Sequence, residues 1–196
     1  MKVLNKVLMG TATLVLLTGC AKNVDVTEFQ AKVDAMEAHE YSQATVKYDV
    51  NLRTSTQGLP DTVTNEKGEV KFTYNADKKE WETTDEAHEG YGIYIRSIQG
   101  KKVDVPEVQS GITQEVKYSI NSFMKQYKME ITRTGGYESD DLSFRYDKYK
   151  EAYTFNKYGY LTKYSYEINA TASGVVLGEA FSSSENGFKK ITISYK

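Results

Sequence analysis

The sequence predicts an α+β fold: one N-terminal amphipathic helix packed on a mostly antiparallel β-sheet, as a single domain over residues 25–196. Three observations carry this. Near residue 25 a helix start signal precedes apolar residues repeating at helical spacing. From Ala44 onward the chain alternates apolar and polar residues with period two, the signature of half-buried strands. And 16 tyrosines, 11 of them at or after Tyr118, weight the second half of the chain toward strands. There a ring can be half buried while its hydroxyl stays wet.

The helix comes first. Asp25 and Glu28 have the spacing of a capping box, and Val24 and Phe29 that of a hydrophobic staple. Val26, Phe29, Val33 and Met36 recur on one face, and the helix is expected to end near His39–Tyr41. A strand follows, with Ala44, Val46, Tyr48, Val50 and Leu52 against Thr45, Lys47, Asp49, Asn51 and Arg53. Residues 55–61, with Gly58 and Pro60, read as a loop. Val70, Phe72 and Tyr74 alternate again, residues 75–79 form a turn, and Trp81 lies on the returning strand.

The same device recurs. Phe72-Thr-Tyr74-Asn75 resembles Phe144-Arg-Tyr146-Asp147, and Tyr153-Thr-Phe155-Asn156 is a third echo. Each is read as a strand ending in a lysine-bearing turn, so that the three become repeated hairpins of a meander. Residues 91–98 fit a helix face weakened by Gly90 and Gly92, and residues 112–124 fit a helix or a strand equally. Tyr127, Met129 and Ile131 are a strand. Residues 175–177 and the run Ile191, Ile193, Tyr195 form the last two strands, with Glu185-Asn186-Gly187 as their turn.

Upstream of the domain, Lys2 and Lys6 make a short positive region before the apolar stretch Val7 to Leu17. That stretch has the length of a secretory signal core, about 7–15 residues, and falls short of the ~20 a membrane-spanning helix needs. It runs into Leu17-Thr18-Gly19-Cys20, which resembles the lipobox of bacterial lipoproteins. The resemblance implies a signal peptide over residues 1–19, cleavage between Gly19 and Cys20, and lipid attachment on the Cys20 thiol. A second acyl chain on the new amino terminus would make the anchor stable, since one chain binds only marginally. Residues 20–24 then form the lipidated N-terminus and a short tether. The membrane is the implied partner, and the implied location is the extracytoplasmic side of the cell membrane.

Composition narrows the function. Cys20 is the only cysteine, so disulfides within the chain and thiol catalysis are ruled out once it is acylated. Without the two lysines of the leader, 23 basic side chains face 27 acidic ones, a net charge of −4. That gives no reason to expect nucleic acid, and no polybasic run to help membrane attachment. The two histidines, His39 and His88, have no ligand-spacing partner, so no metal and no cofactor is expected. No Gly-x-Ser-x-Gly elbow or phosphate-cradling glycine loop is present, and the pairs Asp140-Asp141 and Asp85-Glu86 sit in turn-like contexts. The chain is not expected to be an enzyme. It also lacks the length and the α/β alternation of a two-lobed solute receptor.

A lipobox, then an amphipathic helix, then a meander of aromatic-rich strands resembles the half-barrel lipoprotein-carrier superfamily, which includes lipid-binding lipoproteins. That resemblance implies a curved, half-barrel-like sheet wrapped around helices, with an apolar cavity for acyl chains. The expected function is therefore that of a membrane-anchored lipoprotein binding a hydrophobic or lipid ligand at the membrane surface. The alternative is a structural or interaction lipoprotein that binds a cell-envelope protein through an exposed sheet face or edge. The tyrosine-dense stretch Tyr158 to Tyr166 motivates it, because tyrosine is enriched at interfaces.

Overall fold

The computed structural model describes residues 21–176 and 178–196; the leader 1–19 and Cys20 lie outside the described residues. The described residues form one open, nine-stranded antiparallel sheet. In chain order the elements are β1 (Ala21–Val24), α1 (Val26–Asp34), β2 (Gln43–Thr56), β3 (Thr62–Asn75) and β4 (Glu80–Glu82). A 3₁₀ segment, Glu86–Tyr94, comes next. Then follow β5 (Ile112–Asn121), β6 (Gln126–Glu138), β7 (Leu142–Phe155), β8 (Leu161–Val176) and β9 (Glu179–Tyr195). Across the sheet the order is β1-β5-β6-β7-β8-β9-β2-β3-β4. Two meanders are thus joined side by side where β9 pairs with β2, with Val46 opposite Ile193 and Tyr48 opposite Ile191.

Period-two alternation divides the side chains between two faces. One carries α1 and the 3₁₀ segment and is called here the helix face. The other is the lysine face. Asp25 caps α1: its Oδ1 accepts the Glu28 N–H at 2.8 Å. Only half of the predicted capping box forms, because the Glu28 carboxylate turns to Lys22, 3.2 Å away. Phe29 and Val33 are fully buried and, with Met36, pack on Tyr118 and Ile120 of β5; Val24 joins the same cluster, as a staple should. The helix is shorter than its apolar pattern suggests. It stops at Asp34, and Val26, placed by spacing on the packed face, is 45 % exposed. His39 and Tyr41 instead lie beyond the helix, where His39 stacks on Tyr158 and Tyr41 meets it edge-on.

The 3₁₀ segment covers the other end of this face. Tyr91 stacks on Tyr48 at 4.2 Å, and Tyr94 and Ile95 join Phe72, Leu161, Ile191 and Val46 in the larger core cluster. Between the two covered ends, residues 95–103 cross the face as a strap. The Arg96 carbonyl accepts the Leu161 N–H at 2.9 Å, the Gly159 carbonyl accepts from Ile98 at 3.0 Å, and Val103 N–H donates to Gln30 Oε1 at 2.7 Å.

Several sequence expectations change. Ala21–Val24 is not a free tether but an edge strand, paired residue for residue with Tyr118–Asn121. The zone 112–124 resolves as a strand ending at Asn121 and a turn, because Val116, Tyr118 and Ile120 alternate against β6. No turn follows Tyr146: β7 runs on to Phe155, and the extra residue Asp147 is absorbed as a bulge. Nor does the chain turn at Glu185-Asn186-Gly187, since β9 is continuous from Glu179 to Tyr195. Gly187 sits at φ 137° inside that strand, where an added Cβ would collide with the Asn51 carbonyl oxygen of β2. The glycine marks close backbone approach rather than a reversal. Gly187→Ala is expected to lower stability by more than about 1 kcal/mol, read as a falling urea midpoint with unchanged slope.

Candidate functional site

Four tyrosines gather on a half-buried stretch of the helix face beside the strap, on β7 and β8. Register places Tyr149, Glu151 and Tyr153 of β7 beside Tyr164, Tyr166 and Ile168 of β8. Arg133 of β6 lies opposite Tyr149. At the centre is Glu151. Its carboxylate accepts the hydroxyls of Tyr149 at 2.8 Å and Tyr164 at 3.0 Å, and that of Tyr153 as well. A half-buried carboxylate with three phenolic donors is well satisfied, which is how an acid is tolerated here.

The phenols respond in turn. Burial, and then the neighbouring Glu151 charge, push the Tyr149, Tyr153 and Tyr164 hydroxyls well above the ordinary phenolic range. Tyr166 is raised in the same way, by burial first and by Glu185 next. All four therefore stay protonated donors at neutral pH. Two cations lie over aromatic faces. The Arg133 guanidinium is 4.5 Å from the Tyr149 ring centroid, with its Nε held by Gln114 at 2.7 Å, and Arg96 is 5.3 Å from the Tyr153 ring. An edge-to-face ladder, Phe144–Tyr146–Tyr149–Tyr166, extends from this centre with ring centroids 4.6 to 5.6 Å apart. The result is a rigid surface of aromatic planes, each fixed by a neighbour or a hydrogen bond.

Two further features frame the strip. A cleft of about 280 Å³ beside the 3₁₀ segment is lined by Val50, Leu52, Tyr91, Ile93 and Tyr94, together with His88 and Lys189. On the lysine face, a polar depression of about 530 Å³ is lined by Ala21, Ser119, Lys128, Glu130, Lys150, Lys163 and Lys190 among others. Its lysines are partly paired, Glu130 meeting both Lys128 and Lys150 at 3.1–3.2 Å.

Cys20 and Gly19, the site residues expected from the lipobox, lie outside the described residues. His88 contacts Asp85 at 2.9 Å and stacks on Tyr48, whereas His39 packs among tyrosines, so the two are held in separate environments. Among the described residues no cluster of three or more His, Cys, Asp or Glu side chains forms, and no helix is long and apolar enough to cross a membrane. The central role of Glu151 was not visible in the sequence. Its signal is the pattern Tyr149-x-Glu151-x-Tyr153, one face of a strand, joined by Tyr164 only through the neighbouring register. No known protein family matches the chain, and neither a curated protein nor a solved structure shows significant similarity to it.

Proposed function

We propose that this chain is a membrane-anchored lipoprotein, acylated at Cys20, whose tyrosine strip binds a partner protein of the cell envelope. The lipobox supports the anchor. The observation that carries the partner reading is the half-buried strip itself, with aromatic planes locked by Glu151, Arg133 and one another. Tyrosine and arginine are enriched at protein interfaces and among the residues that anchor them. The same strip argues against a deep acyl-chain site as the half-barrel resemblance would have it. An alkyl chain laid there would strip water from Glu151, Glu185 and Arg133 without offering them hydrogen bonds.

A hydrophobic ligand finds its support elsewhere, in the cleft lined by Leu52, Ile93 and Tyr94. At about 280 Å³ it falls just below the usual span of ligand pockets, about 300–1,000 Å³, and it suits a small apolar group.

A photo-crosslinking phenylalanine analogue placed at Tyr149 or Tyr166 in cells separates the readings. A discrete protein adduct at these positions, absent when the same probe replaces Lys163 on the lysine face, is the expected result. Adducts of lipid mass only, or equal adducts from both faces, would reject the partner reading. Tyr149→Ala is expected to reduce adduct formation from a probe at Tyr166 by at least about tenfold, the loss of a typical interface anchor.

A further inference from the structure

The turn between β5 and β6 points an unusual tip into solvent. Phe123 is 72 % exposed and Met124 53 % exposed, side by side at the end of a hairpin. The turn is ordered rather than loose: Asn121 Oδ1 accepts the Met124 N–H at 2.9 Å, and Lys125 adopts φ 48° to close it. Two large apolar side chains held in water by a built turn call for an explanation.

The neighbours of the tip supply one. Ala21 is the strand partner of Asn121, two residues before Phe123. The path from Cys20 through Ala21 and Asn121 to Phe123 therefore spans no more than about 17 Å between Cα atoms. The groove beside the tip, lined by Met36, Ile120 and Tyr127, carries Lys32, Lys125 and Lys157 against a single acid, Glu37. An apolar tip beside a lysine-rich groove matches the boundary of an anionic bilayer, where apolar groups enter the acyl region and ammonium groups meet phosphates.

The geometry points to the hairpin tip Phe123–Met124–Lys125 as a second membrane contact, inserted into the headgroup boundary beside the acyl chains on Cys20. This rests on the lipoprotein reading above, and it adds an orientation to it. Two fixed points, the anchor and the tip, would hold the sheet with its 121–126 end on the bilayer. The β2–β3 turn, with the exposed Leu59, would then lie far from it at the other end of the 14-residue β2. At about 3.3 Å per residue that separation is on the order of 40 Å.

The test uses the full precursor, processed in cells and reconstituted into phosphatidylglycerol–phosphatidylcholine vesicles. Trp81 is the single tryptophan, so Trp81→Phe gives a silent background for Phe123→Trp or, as a control, Leu59→Trp. Tryptophan at 123 is expected to emit at shorter wavelength and to lose its fluorescence to brominated acyl chains, while tryptophan at 59 does neither. If the protein floats with vesicles and carries labelled palmitate but position 123 is not quenched, tip insertion is wrong and the anchor stands. A short-wavelength emission at 123 that ignores brominated lipid assigns the tip to a protein contact and also overturns insertion. If no palmitate is incorporated and Cys20→Ser changes nothing, the anchor reading falls, and the tip proposal with it.

Discussion

Phe29→Ala is expected to detach α1 from the sheet and to cost about 3–5 kcal/mol, the usual range for emptying a fully buried phenylalanine site. The helix has nine residues, too few to persist alone in water, so its existence depends on docking. Phe29 does most of that docking: its ring lies 4.9 Å from that of Tyr118 and 6.4 Å from that of Tyr127. Against a total stability of about 5–15 kcal/mol for a domain, the loss is large. Two measurements check it. The urea midpoint should fall, and amide exchange over residues 26–34 should become fast while β2, β8 and β9 stay protected. Equal loss of protection everywhere would mean that α1 and the sheet unfold as one unit.

Alkaline titration is expected to give the second large effect. Tyr149, Tyr153, Tyr164, Tyr166 and Tyr195 all have hydroxyls raised above the ordinary 10.0, with burial as the leading cause in each. In the unfolded chain these groups release their protons near pH 10, while in the folded chain they hold them. The folded state thus binds more protons, and its stability falls as pH rises above 10. The stabilisation is complete below the unfolded value and is lost as pH climbs through the folded values. Melting temperature should be flat from about pH 7 to pH 9 and then drop steeply. Phenolate absorbance should rise in two phases, exposed rings first and the buried set together with unfolding. Glu151→Gln removes the second cause at Tyr149 and Tyr164 but not burial, so it should lower the late phase only part of the way. A single phase centred near pH 10 would show that burial does not hold these protons in the folded state.

Much of the sheet could be read from the chain because its apolar residues keep strict period two where one face is covered. Ala44 to Val50 and Tyr127 to Ile131 are of this kind, and both are strands. Legibility failed where strands run past the covered region. Thr64 to Gly68 and Ser182 to Gly187 are polar on both faces, carry no periodic apolar signal, and hold their places by backbone pairing with neighbours. Glycine misled in the same places, since Gly187 serves a close approach that is created by β2 far away in sequence. The tyrosine strip was half legible. The excess of tyrosines was plain, but gathering Tyr149, Glu151 and Tyr153 with Tyr164 needed the β7–β8 register. The lysine face was concealed for a similar reason: Lys128, Lys150, Lys163 and Lys190 come from four strands and form no run in sequence.

The sheet also has two ends, and their design bears on crowding. β4 is only three residues long and covers just Thr73, Tyr74 and Asn75 of β3, leaving most of that 14-residue strand without a neighbour on that side. Such a rim invites a second copy to add its own strand. Along it stand Glu66, Lys67, Glu69 and Lys71, alternating in sign. A copy adding its strand there would have to enclose these ionised groups in a closing seam, and the hydration they lose makes that unfavourable. Molecules gathered densely on a surface would thus meet at their rims repeatedly without zipping into fibres.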